Sequence, residues 1–454
     1  MPKYTVLDTN IILQDAHNIV DLAKDSIIVL PETVINEIDS KKSLLNEIGF
    51  HAKEFGRMMR KAEKLETQFT EDYTVSRRLV EGVEVHTILM KSYPDLSIYE
   101  PNIANDRRIV FAAYSYLQDN LNETSFITND NMCSIIAEAQ GFKVTDWKAV
   151  ENTEFQFMKE LTIPTNKFSR LHNLLITDID PDYKLENYNY MFNDELTGQV
   201  KLGNIRNGYI DILGKETENE LRRQDASPIN SGQLFLSRAI QNPNIDIVVT
   251  EALAGSGKTV SAFSNAIRLV KKGEYGSITY IRASVDDVPK EEEVGFLSGN
   301  DEKMAVYLHP VHDTLDFLVR SRYKDSKRKG KEYEDFIESA IDEMKIKYNI
   351  TAMTGLGMRG RTFSNTIAII DEAQNMSKSS LQKVLTRFGK DCKIIIVGSN
   401  RQIDNPYVTK YTNGLSVILD ACTKPQEKIQ LHAVPLTKVV RSDIAEFAEK
   451  VFSK

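Results

Sequence analysis

The chain has 454 residues, enough for two or three domains, and at 41% hydrophobic and 27% charged it has the make-up of folded globular protein. No apolar run approaches the roughly 20 residues that a membrane helix needs, and the strand-like start at Tyr4 leaves no room for a signal peptide. A net charge of −8 argues against sequence-blind coating of DNA and leaves nucleic acid to a local basic channel, while Cys133, Cys392 and Cys422, lacking metal-ligand spacing, fit a reducing cytosol.

Residues 1–150 read as an α/β block. Apolar, β-rich runs at 4–7, 26–30 and 125–128 alternate with helical stretches at 31–39, 106–117 and 132–139, which predicts a parallel sheet with helices on its faces. Asp8 ends the first strand and Glu37 lies in the helix after the second. Asp106 begins a helix, and Asp130 follows a strand in Ile-Thr-Asn-Asp-Asn. Functional sites in parallel sheets gather at the carboxyl ends of strands, so these four carboxylates are expected to converge. Close anions are most simply neutralised by Mg²⁺ or Mn²⁺, and such ions activate water against a phosphodiester. Singly, each has a plainer reading, Asp106 and Asp130 as helix caps. With Asp8-Thr9-Asn10 and Thr128-Asn129-Asp130 its sharpest parts, the block resembles a PIN domain. That resemblance implies a metal-dependent ribonuclease with Asp8, Glu37, Asp106 and Asp130 as ligands and catalytic groups. Some PIN folds serve only as scaffolds.

Residues 151–226 differ, with Asn, Asp, Tyr and Gly prominent and alternating runs at 199–202 and 208–213, which predicts a small β-rich connector. From 227 to 454 the α/β pattern returns, with buried strands predicted at 246–250, 277–281, 366–370 and 393–397. The first runs into Glu-Ala-Leu-Ala-Gly-Ser-Gly-Lys-Thr and a helical stretch at 260–272, the context of a P-loop. Phosphates need close backbone approach and free N–H groups at a helix start. The expected cradle is therefore Ala254, Gly255, Ser256, Gly257, Lys258, Thr259 and Val260, with Lys258 on the β- and γ-phosphates of ATP and Thr259 on Mg²⁺. Ala252 stands where an opening glycine is usual, and supplies the same N–H if its φ is negative. Strand 366–370 leads into Asp371 and Glu372, the first expected to hold Mg²⁺ through water, the second to polarise the attacking water. Gln402 is expected near the γ-phosphate and Gln233 near adenine.

Asp371-Glu372-Ala373-Gln374-Asn375, Met358-Arg359-Gly360-Arg361-Thr362, Gly295-Phe296-Leu297-Ser298-Gly299, the stretch 307–313 and Gln402-Ile403-Asp404 resemble the PhoH-like ATPases over about 228–451. That family is similar to the core of superfamily 1 helicases, and it implies nucleotide and metal at Lys258, Thr259, Asp371 and Glu372. Ser399 departs from it, standing where an aspartate is common. Arg282, Arg359, Arg361 and Arg441 are the cations able to meet transferring phosphoryl charge, each equally at home as a surface or ion-paired arginine. Arg441, in Val-Val-Arg-Ser, matches a late family motif as a finger or sensor. A PIN domain joined to a PhoH-like ATPase implies ATP-driven movement along or unwinding of RNA coupled to cleavage, by a homo-oligomeric ring, often a hexamer. An ATP-gated RNA-binding adaptor with a silent PIN domain is the competing expectation, and a toxin-like nuclease checked by ATP a third. Seven basic residues between Arg320 and Lys331 are either phosphate contacts or a solvated loop.

Overall fold

The apolar runs near the N-terminus pair side by side in a computed structural model that describes residues 3–23, 25–44, 47–148, 150, 154–183, 189–282, 300–354, 358, 360–405 and 408–452. The strands of the first part are β1 (Tyr4–Leu7), β2 (Ile27–Pro31), β3 (Glu63–Phe69), β4 (Tyr73–Val80), β5 (Val83–Met90), β6 (Thr124–Ile127) and β7 (Lys143–Thr145). They lie in the order β3-β4-β5-β2-β1-β6-β7. From β5 to β7 neighbours are parallel, whereas β3, β4 and β5 form an antiparallel meander. The meander is additional to the predicted strands; β3 is exposed along its whole length and leaves no apolar pattern, whereas β4 and β5 bury Val75, Val80, Val85 and Ile88. Its second turn is Glu81-Gly82, both with positive φ, the pair that a two-residue hairpin twisted like its strands requires.

Helix Pro101–Leu117 starts earlier than predicted, because proline at its first position is preset for the first turn. Asp106 therefore sits in the second turn and does not open the helix. Asp130 does cap its helix, accepting from the Met132 and Cys133 N–H groups.

This unit ends at Lys148, and a second compact unit holds the rest of the described chain. The second unit has two sheets. The smaller has the order β11-β10-β9-β8, from β8 (Met158–Ile163), β9 (Asn189–Asp194), β10 (Val200–Arg206) and β11 (Tyr209–Ile212). The larger is parallel throughout, with the order β14-β13-β15-β16-β12-β17. Its strands are β12 (Ile247–Glu251), β13 (Ser277–Arg282), β14 (Ile350–Thr354), β15 (Thr366–Asp371), β16 (Lys393–Gly398) and β17 (Leu431–Ala433).

Every residue of β15 and β16 is buried, as expected of central parallel strands covered on both faces. Their side chains alternate between two cores. Ile367, Ile369, Ile395 and Val397 pack with helices Ser231–Gln241 and Lys258–Lys271, while Ala368, Ile370, Ile394 and Ile396 pack with helices Lys378–Leu385 and Gly414–Cys422. The smaller sheet belongs to this unit and is no free linker. Met191 and Leu202 pack on the first of these cores, and the buried Asn189 donates to the Ala433 carbonyl at 2.9 Å. Its other amide atom, Oδ1, lies 2.9 Å from His432 Nε2. Burial pushes the His432 ring down to about 4, so it is neutral and donates this bond. Among the described residues no helix is long and apolar enough to cross a membrane.

Candidate functional site

In the second unit, β12 and β15 flank β16, so the loop after β12 and the acidic pair after β15 open at the same sheet edge. Gly257 adopts a left-handed conformation (φ +81°) and sets the start of helix Lys258–Lys271. The N–H groups of Lys258, Thr259 and Val260 open this helix, where the helix itself offers them no acceptor. Gly255 is also left-handed, and a Cβ there would come 3.1 Å from the Cβ of Arg441. Glycine is thus required twice, by conformation and by space.

The predicted roles of Lys258, Thr259, Asp371 and Glu372 fall on side chains that touch. Thr259 Oγ1 donates to Asp371 Oδ2 at 3.0 Å, and Lys258 Nζ lies 3.4 Å from Glu372 Oε1. Tyr280, in β13, donates its hydroxyl to the same Asp371 oxygen at 2.9 Å. Burial, then the Glu372 charge, pushes the Asp371 carboxyl up, while Lys258, Tyr280 and Thr259 pull it back. Glu372 is held in a left-handed backbone (φ +56°), uncommon outside glycine. Gln374 fixes its side chain: Nε2 donates to Glu372 Oε2 at 2.6 Å and to the Gln402 carbonyl at 2.8 Å, while Oε1 accepts from Ser399 N–H at 3.0 Å.

Several expected roles change. Gln402 reaches this network through its main chain, and its side chain is exposed. Gln233 is buried behind the loop, donating to the Ser256 carbonyl at 3.0 Å and accepting from Ile229 N–H at 2.9 Å, so it braces the loop. Ser256 is wholly buried and its N–H bonds the Leu253 carbonyl, which turns it away from a ligand. Ala252 avoids positive φ, but its N–H goes to the Gly398 carbonyl in strand pairing. The main-chain N–H groups of Val440 and Arg441 both bond the Gly255 carbonyl, and the Arg441 side chain is exposed beside the loop. Ala254 N–H donates to Glu449 Oε1 at 3.1 Å, and Arg401 Nη1 lies 3.8 Å from the other oxygen of that carboxylate. Arg361 stands over the Phe363 ring at 5.6 Å. Arg359 and residues 295–299 lie outside the described residues. Gln374, Tyr280 and Glu449 were not singled out in the sequence. Gln374 alone had a signal there, as the fourth residue of the Asp371 motif.

In the first unit, Asp8 caps helix Thr9–Gln14 and is buried. Its carboxylate accepts from Thr9 N–H at 2.6 Å, Asn10 Nδ2 at 2.7 Å and Thr128 Oγ1 at 2.6 Å. Glu37 accepts from the Thr9 hydroxyl and from Asn105 Nδ2 at 2.8 Å. Burial outweighs these donors and pushes the Asp8 carboxyl up to about 6, with Glu37 and Asp130 adding repulsion. Asp106 rises to about 7, from burial first and then from Asp130, Asp8 and Glu37. The four carboxylates therefore share one electrostatic neighbourhood, a set of hard oxygen donors of the kind that hold divalent cations. Among the described residues no three acidic, histidine or cysteine side chains stand close enough to hold a metal as they are. A cation would have to draw them together.

The basic run is only partly free. Arg320 pairs with Asp316 and Glu334, Arg322 with Asp225, and Arg328 lies 4.0 Å over the Phe336 ring. Lys324, Lys327, Lys329 and Lys331 are exposed and form no ion pair among the described residues.

A family model described as PhoH-like protein matches residues 225–453, and one described as PIN domain matches 5–148. Protein PhoH2 of Bacillus subtilis (strain 168) is 26% identical over 464 residues, covering 99% of this chain and 99% of that protein. A PhoH-like protein of the same organism is 31% identical over 211 residues, covering 46% of this chain and 59% of that one. Among solved structures, unliganded Pif1 from a Bacteroides species matches with a TM-score of 0.22 and 12% identity, covering 49% of this chain and 45% of that chain, and adds nothing to the fold described above.

Proposed function

Because the chain belongs to the PhoH-like proteins and carries a PIN domain ahead of its P-loop ATPase domain, we propose that it is an ATP-dependent RNA helicase or translocase that also cleaves RNA. The observation that carries the ATPase half is the joined set Thr259–Asp371 and Lys258–Glu372 beside the N–H groups of Lys258, Thr259 and Val260 that open the helix. Lys258 is the charge for the β- and γ-phosphates, and Thr259 and Asp371 would hold Mg²⁺. Glu372, oriented by Gln374, takes a proton from the attacking water. Arg441, exposed next to Gly255, would serve a neighbouring subunit or its own site in a hexameric ring.

In the PIN domain, Asp8, Glu37, Asp106 and Asp130 would hold Mg²⁺ or Mn²⁺. A bound ion of this kind supplies an activated water and steadies the leaving oxygen of a phosphodiester. The chain's own contribution is to keep Asp8 fixed by three donors and Glu37 by two. A second reading, an ATP-gated RNA-binding adaptor with a silent PIN domain, is favoured by the absence of a ready three-ligand group among the described residues. One experiment separates them: labelled structured RNA is incubated with Mg²⁺ or Mn²⁺, with and without ATP, and strand separation is followed apart from cleavage. Cleavage lost in Asp8→Asn but not in Lys258→Ala supports the first reading. No cleavage with either ion, together with ATP-dependent binding, supports the second.

A further inference from the structure

A cavity of about 440 Å³ opens beside the acidic cluster of the PIN domain, with Glu37 in its wall. Helix Glu32–Ser40 lines it with Glu32, Asn36 and Ser40, spaced by four on one face. Tyr93 supplies an aromatic wall, its ring packed 6.1 Å from that of Phe111. Arg108 and Asn105 complete it from helix Pro101–Leu117. Arg108 Nη1 donates to Asn105 Oδ1 at 2.9 Å and Asn105 Nδ2 to Glu37 at 2.8 Å, so the guanidinium is held at a fixed distance from the carboxylate proposed to bind metal.

The volume is that of a small-ligand site, and its chemistry is mixed: an aromatic face, amide and hydroxyl groups, one cation and a second carboxylate, Glu32. A bare phosphate would meet Glu32 and Glu37 as like charges. A nucleobase suits the same walls, stacking on Tyr93 as bases of single-stranded RNA do on aromatic side chains. A carboxylate such as that of Glu32 only accepts hydrogen bonds. Guanine alone among the four bases offers two neighbouring N–H donors, at N1 and N2, to one carboxylate. Adenine and cytosine set a ring acceptor beside their amino group, and uracil flanks its single N–H with two carbonyls.

We propose that this cavity seats a guanine of the RNA strand next to the scissile phosphate, with Glu32 reading its N1 and N2 edge, Tyr93 stacking on it and Arg108 on its sugar-phosphate side. The proposal rests on the nuclease reading and gives that reading a base preference.

Cut sites are mapped on a random-sequence RNA pool with Mn²⁺ and the full chain, for the unaltered protein, Glu32→Gln and Tyr93→Ala. Guanine is expected to be enriched roughly tenfold at one fixed offset from the cut, the scale of one bidentate base contact. Glu32→Gln should erase that enrichment while cleavage continues, since its amide presents a donor where two acceptors are needed. Tyr93→Ala should raise KM more than it lowers kcat. Cleavage without guanine enrichment at any offset overturns the proposal and leaves the nuclease standing, as does enrichment that survives Glu32→Gln. If no RNA is cut, the nuclease reading falls, and calorimetric titration of the full chain with 5′-GMP, 5′-AMP, 5′-CMP and 5′-UMP decides the cavity. Tighter binding of 5′-GMP, lost in Glu32→Gln, supports it, and equal or absent binding overturns it.

Discussion

Glu449→Ala should make the phosphate loop bind ATP more tightly. In the structure the Glu449 carboxylate takes the N–H of Ala254, one of the loop's own groups, at 3.1 Å, and the side chain is only 11% exposed. Anionic phosphate and this carboxylate compete for the same small region, and their like charges cannot share it. A hydrogen bond to a charged group contributes about 1.5–3 kcal/mol, and a phosphate that displaces it forgoes that amount. The Arg401 contact at 3.8 Å adds little, since Arg401 is 57% exposed and water screens the pair. Removing the carboxylate is therefore expected to lower the Kd for ATP by roughly tenfold, each decade corresponding to about 1.4 kcal/mol. Glu449→Gln, which keeps an acceptor but loses the charge, should fall between. The loop should keep its shape in both variants, because the Val440 and Arg441 N–H groups still hold the Gly255 carbonyl. Titration of the full chain with a fluorescent ATP analogue and Mg²⁺ measures the change, with Arg401→Ala as a control that leaves the carboxylate in place. An unchanged or weaker affinity in Glu449→Ala would refute competition and make Glu449 a brace of the loop.

Glu372→Gln should keep ATP binding within a few-fold but lower turnover by roughly 100-fold or more, the scale of a lost general base; single-turnover hydrolysis checks this, and loss of binding would make Glu372 structural. Lys258→Ala should abolish hydrolysis with the fold intact by circular dichroism, because the Lys258 ammonium, 3.4 Å from Glu372, is the charge expected on the β- and γ-phosphates. Asp8 titrates near 6 when folded against 3.8 in the unfolded chain, so its raised value favours the folded state below about pH 4, and that advantage is lost as pH rises towards 6 and beyond. Mn²⁺ should therefore raise the melting temperature at pH 8 and do little at pH 4.5; a shift of equal size at both would contradict the charge argument. Replacing Lys327, Lys329 and Lys331 with alanine should weaken RNA binding and flatten its salt dependence by roughly one unit of slope, at about −0.7 per phosphate on single strands. An unchanged slope would show these lysines to be solvated only.

The parts of the molecule legible in the sequence were those whose signal is local. The parallel strands β12, β13, β15 and β16 announce themselves as largely apolar runs, since burial on both faces leaves few polar positions. The phosphate loop is legible for a similar reason: its glycines, Lys258 and Thr259 act within one turn of chain. Asp8 and Asp130 were also readable, because strand ends and helix caps can be located from pattern alone, and Glu37 lies within the helix expected after the second strand. Asp106 was placed a turn too early in its helix, since the preset φ of Pro101 set the start and the apolar spacing did not reveal it. Tertiary structure decided the rest. Whether a given N–H in the loop is available depends on groups far along the chain: Gly398 takes that of Ala252, and Glu449 that of Ala254. Gln233 became a brace and Gln374 the clamp of Glu372 because an amide's role is set by which donors and acceptors surround it. Sequence spacing carries composition and period. It does not carry the long-range hydrogen bonds that choose among the roles a residue type allows.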